Sequence, residues 1–110
     1  MLLSTDIWVG ALIRRVAQEG AFATVARKGD TRAGAVLIKT CDRRSGVVRL
    51  FAEAFGGDGE RVWMEPVASV EEAALDAYVE RALRVDPDLW VVEIEDADGA
   101  RFLTERVENR

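Results

Sequence analysis

The chain has 110 residues, of which 49% are hydrophobic and 32% charged, and its formal net charge is −5 at pH 7. This length and composition exclude an intrinsically disordered chain and suit one domain, which we expect to span residues 1–110. The sequence has one cysteine and no histidine. These counts exclude an intramolecular disulfide, a zinc site made of cysteines, and a serine or cysteine nucleophile activated by histidine.

The apolar segments are too short to span a membrane. The longest one covers residues 7–13, whereas a transmembrane helix needs ~20 apolar residues. Arg14 and Arg15 follow this segment instead of preceding it, which reverses the order found in a signal peptide. We therefore expect a soluble cytoplasmic protein without a membrane partner.

The first predicted element is an amphipathic helix. Ser4, Thr5 and Asp6 are typical of a helix start, because small polar side chains accept hydrogen bonds from the free amides of the first turn. Gly20 is a natural residue for the helix end. The apolar positions that share one side of this helix are Trp8, Val9, Leu12, Ile13 and Val16.

Four segments with the composition of β-strands follow, at residues 21–27, 35–41, 47–54 and 61–65. Turn residues separate them, most clearly the glycine-rich residues 56–59, and no helix intervenes. Close spacing of this kind favours antiparallel hairpins, so we predict an antiparallel meander.

The C-terminal part adds a helix and two more strands. Residues 69–72 have the form of a capping box, and Pro87 ends the second helix. A strand at residues 89–95 leads to a predicted hairpin turn at residues 96–99, and residues 101–107 return as a short strand or a frayed helix. The predicted apolar stripe of the second helix is Val70, Ala74, Leu75, Tyr78, Ala82 and Val85.

These elements predict an α+β fold with the order α-β-β-β-β-α-β-β and an antiparallel sheet. Each helix has one apolar stripe, so we expect both helices to pack on the same face of the sheet. Phe51 and Trp63 would then form an apolar patch on the open face, a candidate interface. The alternative is that the C-terminal segment covers that face.

Charge is unevenly distributed along the chain. Residues 1–49 hold nine basic and four acidic side chains, whereas residues 50–110 hold six basic and sixteen acidic ones. Guanidinium groups bind phosphate and carboxylate in a bidentate manner. The net acidity weighs against non-specific binding of nucleic acid, and solvated turns explain the same cations. The candidate anion-binding residues are Arg14, Arg15, Arg27, Lys28, Arg43 and Arg44.

Glu93, Glu95 and Asp96 are weak candidates for metal ligands, since clustered carboxylates attract hard divalent cations. An acidic hairpin turn explains these residues without a metal, and we predict neither a metal site nor a cofactor. Cys41 alternates with Leu37 and Lys39, which favours the less buried sheet face for its thiol.

Three stretches resemble a known family. They are residues 7–15, residues 33–38 and residues 86–96, and the last of these, Asp-Pro-Asp-Leu-Trp-Val-Val-Glu-Ile-Glu-Asp, is the most specific. The sequence resembles a family of short bacterial proteins of about this length that has no assigned function. The resemblance covers nearly the whole chain and implies a free-standing single-domain protein. It supplies no catalytic residue, cofactor or partner.

Three interpretations of the function stay open. The first is a non-enzymatic module that binds a protein partner or a second copy of itself through the open sheet face and an edge strand. The second is recognition of an anion, such as a nucleotide, RNA or an acidic protein, by the basic residues. The third and least favoured is an enzyme that uses Glu93, Glu95 and Asp96 with a divalent metal ion.

Overall fold

The computed structural model describes residues 3–68 and 70–108. The predicted α+β class and the order of helices and strands are confirmed. The elements in chain order are α1 (Thr5–Gln18), β1 (Phe22–Arg27), β2 (Val36–Cys41), β3 (Val48–Phe55), β4 (Arg61–Met64), α2 (Glu72–Val85), β5 (Trp90–Glu95), a 3₁₀ helix (Gly99–Phe102) and β6 (Val107–Glu108).

The strands form one mixed sheet of six strands in the order β1-β5-β2-β3-β4-β6. β1 is antiparallel to β5, and β3 is antiparallel to both β2 and β4. β2 and β5 are parallel, as are β4 and β6, so the prediction of a purely antiparallel sheet is wrong. Parallel neighbours need a long crossover connection, and the chain through β3, β4 and α2 supplies it between β2 and β5.

β1 and β2 do not form a hairpin, because β5 lies between these two strands. The chain that connects them is a loop that crosses the end of β5. The indole Nε1 of Trp90 donates a hydrogen bond of 2.7 Å to the Asp30 carbonyl oxygen. The Thr5 amide donates to the Arg32 carbonyl oxygen at 3.1 Å. This loop therefore ties the start of α1 to the start of β5.

The two helices lie on opposite faces of the sheet. Leu37 and Ile38 are adjacent in β2 and so point to opposite faces. Ile38 belongs to the core under α1, whereas Leu37 packs with Leu75 of α2. We call these sides the α1 face and the α2 face. The prediction that both helices share one face is wrong, because an apolar stripe shows that a helix packs on a sheet but does not specify the face.

The helix ends agree with the sequence in part. α1 is followed by Gly20, whose φ of 77° lies in the left-handed region. α2 begins at Glu72, and Ser69 of the predicted capping box lies outside the described residues. Val70 and Val85 of the predicted stripe are exposed, whereas Leu75 is fully buried.

The segment after β5 does not form the predicted hairpin. Residues 96–99 lead into the 3₁₀ helix, and β6 then pairs with β4 instead of β5. Phe102 and Leu103 join the core under α1. Within residues 3–68 and 70–108, no helix is long and apolar enough to cross a membrane.

Candidate functional site

β1 lies at the end of the sheet, and its outer edge is the candidate site. Alternate residues of an edge strand direct their backbone N–H and C=O groups away from the neighbouring strand. No other strand of the described chain pairs with this outer side. Five of the six side chains of β1 are exposed, and Ala23 is partly buried. The edge is therefore a template for pairing with a further strand.

The side chains of β1 do little to prevent such pairing. The strand reads Phe-Ala-Thr-Val-Ala-Arg, so it has no proline and its one charge is at the last position. Phe22 and Val25 are 59% and 38% exposed. The feature that opposes pairing is a bulge between Val25 and Arg27. Regular pairing is thus open to residues 22–25.

The α2 face beside β1 is also uncovered. Phe22 and Thr24 lie opposite Glu95 and Glu93 of β5, and the bulge brings Arg27 opposite Val91 on the same face. α2 packs over β2 and β3 instead of this strip, which leaves Phe22, Thr24 and Glu93 exposed. The edge is therefore accessible together with a strip of the adjoining sheet face.

Phe51 and Trp63 are fully buried, so the prediction that they form an exposed patch is wrong. Both lie in the core under α1. The Trp63 ring centroid is 5.6 Å from that of Trp8, and its Nε1 donates a hydrogen bond of 2.9 Å to Glu105 Oε1. Strand alternation places them on one face as expected, and α1 covers that face together with Phe102 and Leu103 of the C-terminal segment.

The six basic candidates are divided between the two ends of the sheet. Phe22 at the start of β1 and Cys41 at the end of β2 both pair with Glu95. The end of α1, which precedes β1, and the turn after β2 therefore lie at this end of the sheet and carry Arg14, Arg15, Arg43 and Arg44. Arg27 and Lys28 lie at the opposite end, about 17 Å away along β1.

Three of these cations are engaged by the protein itself. Arg15 Nη2 donates to the Phe102 carbonyl oxygen at 3.2 Å, and Arg27 Nη2 donates to the Pro87 carbonyl oxygen at 3.0 Å. Arg43 Nε lies 3.0 Å from Glu95 Oε2. The structure therefore does not bring the six residues together in one anion-binding patch.

The candidate carboxylates are also separated by their partners. Glu95 pairs with Arg43, and Glu93 is exposed on the α2 face. Asp96 receives two hydrogen bonds from Arg101, at 3.0 and 3.2 Å. These bonds, followed by one from the Asp98 amide, lower the pKa of Asp96 below its ordinary value. Among residues 3–68 and 70–108, no three acidic or cysteine side chains are grouped to hold a metal ion.

Cys41 does not lie on the less buried sheet face, and that prediction is wrong. Its neighbours on the same face, Leu37 and Lys39, are 3% and 8% exposed, because α2 covers this part of the sheet. Cys41 itself is partly buried and packs at the margin of the core under α2.

Two features escaped the sequence analysis. Binding through an edge strand was expected from the sequence, but β1 was not identified as that strand, because the strand order cannot be read from spacing alone. The second feature is a groove of about 440 Å³ between α2 and the sheet. Its signal in the sequence is the set of small residues on facing elements, Ala35, Ala52 and Ala82.

Comparison with known proteins agrees with this fold. Residues 3–104 match the model of DUF1491, described as a protein of unknown function. The chain belongs to the DUF1491 family. The resemblance to a family without an assigned function is thereby confirmed, and no curated protein matches the sequence.

Solved structures of similar proteins share the fold. The crystal structure of a DUF1491 family protein from Caulobacter crescentus has 72% sequence identity and a TM-score of 0.92, and the match covers 97% of this chain and 100% of that one. An NMR structure of a DUF1491 protein from the same organism has 72% identity and a TM-score of 0.89, with 98% of each chain covered. A solution structure of a protein from A. tumefaciens has 37% identity and a TM-score of 0.81, with 96% of this chain and 95% of that one covered.

Proposed function

We propose that this protein is a non-enzymatic self-association module, in which β1 of one copy pairs antiparallel with β1 of a second copy. The observation that carries the proposal is the free, nearly uncharged edge of β1. Pairing would satisfy the outward backbone groups of both strands and join the two sheets into one of twelve strands. The lone cysteine and the absence of disulfides suit action in the reducing cytoplasm.

A two-fold axis at Thr24 gives a consistent register. Residues opposite each other in an antiparallel pair point to the same face. With Thr24 of one protomer opposite Thr24 of its partner, Ala23 is opposite Val25 on the α1 face. Threonine–threonine and apolar cross-strand pairs are favourable, and the pairs formed by residues 23–25 lie ahead of the bulge.

The antiparallel arrangement follows from the symmetry of a dimer. A two-fold axis that relates two identical edge strands makes them antiparallel, and the resulting contact is complete with two copies. This pairing needs no charge complementarity, because residues 22–26 of the edge are uncharged.

The proposal is tested by sedimentation of the whole protein from micromolar to millimolar concentration, with a variant at the two-fold axis. Thr24→Glu places like charges directly opposite each other, which costs up to ~1 kcal/mol, so we expect the Kd of the dimer to rise about fivefold at low salt. Thr24 is exposed, and Glu93 lies opposite it on β5 of the same protomer. Circular dichroism therefore verifies that the variant is folded, and urea denaturation measures the cost of the new like-charge pair within the monomer.

Val85→Glu is the matched control, because Val85 is 86% exposed at the end of α2 and the charge change is the same. We expect this variant to dimerise like the unmodified protein. A protein that sediments as a monomer throughout the concentration range, or a dimer equally stable in Thr24→Glu and Val85→Glu, would refute self-association through β1.

A further inference from the structure

The groove between α2 and the sheet is a second candidate site, separate from the edge of β1. Its volume of about 440 Å³ lies within the usual range of sites for small molecules. The groove arises because Ala52 on β3 and Ala82 on α2 are small, so the second half of the helix does not fill the space above the sheet. Leu37 and Leu89 complete an apolar floor.

The acidic groups that line the groove are already engaged. Glu53 Oε1 accepts a hydrogen bond from the Val36 amide at 3.1 Å, and Glu53 Oε2 lies 2.7 Å from Arg61 Nε. Asp86 Oδ1 accepts from the Asp88 amide at 3.1 Å. These carboxylates are therefore held by the protein and offer little to a cationic ligand.

The donor groups that line the groove are unengaged. Tyr78 and Arg81 lie one helical turn apart on α2, and both contribute to the groove. Neither the Tyr78 hydroxyl nor the Arg81 guanidinium has a hydrogen-bond or ion-pair partner within residues 3–68 and 70–108. An apolar trough with one free cation and one free hydroxyl is complementary to a molecule with an apolar body and one anionic group.

We propose that this groove binds a small amphiphilic carboxylate, of which a medium-chain fatty acid is the simplest. The carboxylate accepts hydrogen bonds from Arg81 and Tyr78, and the alkyl chain lies along Leu37, Ala52 and Leu89. At ~30 Å³ per non-hydrogen atom the groove holds about 15 such atoms. Guanidinium binds a carboxylate in a planar, bidentate manner, and a singly charged carboxylate suits this groove better than a doubly charged phosphate because Glu53 and Asp86 also line it.

The test uses decanoate and decanol, both below the concentration at which they aggregate, added to the full chain and followed by amide chemical shifts. Decanoate is expected to bind with shifts on α2, β2 and β3, and decanol about tenfold more weakly because it lacks the charge-assisted hydrogen bonds. Arg81→Gln should raise the Kd for decanoate about tenfold and leave that for decanol unchanged.

Two further variants separate recognition from general hydrophobic adsorption. Arg84→Gln removes a charge from an exposed position of α2 outside the groove and should leave both affinities unchanged. Ala82→Leu fills the groove and should weaken both ligands. The proposal is overturned if decanoate causes no saturable shifts, if Arg81→Gln and Arg84→Gln bind it equally well, or if Ala82→Leu still binds both ligands like the unmodified protein. The state of the β1 edge affects none of these readouts.

Discussion

Lys39 Nζ on β2 lies 2.6 Å from Glu72 Oε2 on α2 and so joins the helix to the sheet across the α2 face. Asp76, one turn further along α2, is a second partner at 3.0 Å. The Lys39 side chain is 10% exposed, whereas those of Glu72 and Asp76 are 60% and 56% exposed. Burial alone would lower the pKa of Lys39, but the hydrogen bonds that it donates to the two carboxylates outweigh this effect and raise the pKa above its ordinary value.

This asymmetry predicts unequal costs for removing the two sides of the contact. Replacing both carboxylates by alanine leaves a buried ammonium without acceptors, and we expect a loss of about 2 kcal/mol in the free energy of unfolding. Lys39→Met leaves only exposed acids unpaired and should cost less than ~1 kcal/mol. Urea denaturation measures both, with Glu80→Ala as the control on the exposed side of α2. An equal loss in the two variants would contradict this explanation.

The ion pair between Arg101 and Asp96, which follows β5, predicts that the stability of the fold depends on pH in the acidic range. Because Arg101 lowers the pKa of Asp96, the carboxylate stays charged in the folded protein at pH values where it is protonated in the unfolded chain. Its stabilising contribution is therefore present above the ordinary carboxyl pKa of 3.8 and is lost as the pH falls towards the folded value. Arg101→Gln should raise the pKa of Asp96, as measured by NMR titration of the side-chain carboxyl. An unchanged pKa would show that the hydrogen bond from the Asp98 amide, and not the one from Arg101, is the main cause of the lowered pKa of Asp96.

The close packing around Gly29, in the loop between β1 and β2, predicts that a larger side chain at this position destabilises the protein. A Cβ atom there would lie 2.1 Å from the Asp88 carbonyl oxygen and 2.7 Å from Trp90 Cδ1. Since the first of these atoms belongs to the backbone, Gly29→Ala must displace the loop and should cost about 1–3 kcal/mol. Gly57→Ala is the control, because nothing lies within 4 Å of its Cβ position, and we expect a change within ~0.5 kcal/mol. Thermal denaturation of both variants distinguishes the two positions.

The burial of Phe51 on the α1 face predicts a large loss of stability when this side chain is removed. It is fully buried, whereas Phe55 on the same strand is 68% exposed. Phe51→Ala should therefore cost about 3–5 kcal/mol, and Phe55→Ala should change the stability by less than ~0.5 kcal/mol. If chemical denaturation shows an equally small loss in the free energy of unfolding for both variants, Phe51 lies on an open face, as the sequence had suggested.

Local signals in the sequence predict the elements of this fold well. Gly20 marks the end of α1, Pro87 follows α2, and short apolar segments bounded by turn residues identify β2 to β5. These features act within one element, so residue spacing reveals them. The confirmed elements are those whose boundary residues have restricted or unusual backbone conformations.

The arrangement of the elements was harder to predict, because it depends on contacts between distant segments. β5 inserts between β1 and β2, and this insertion makes the sheet mixed. One signal was present: all five residues from 36 to 40 are buried, and their sequence, Val-Leu-Ile-Lys-Thr, is largely apolar, as in a strand covered on both faces. Lys39 obscured this signal, because its burial depends on two carboxylates of α2 that lie more than 30 positions away.

The positions of the candidate sites also depend on contacts between distant segments. The basic residues are close in sequence, but Arg27 ends β1 and Arg43 follows the antiparallel strand β2, so the two lie at opposite ends of the sheet. Phe51 and Trp63 share a face as alternation requires, and the unpredicted position of α1 buries them. Side-chain periodicity therefore predicts which residues share a surface, whereas the topology decides whether that surface is open.

Amide hydrogen exchange in β1, resolved by NMR at low and high protein concentration, tests the central claim most directly. If β1 pairs with β1 of a second copy, the outward-facing amides of residues 22–25 become protected as the concentration rises, and exchange in β6 at the other end of the sheet does not change. If those amides exchange at the same rate at every concentration, the edge of β1 is free in solution and the proposed self-association is contradicted.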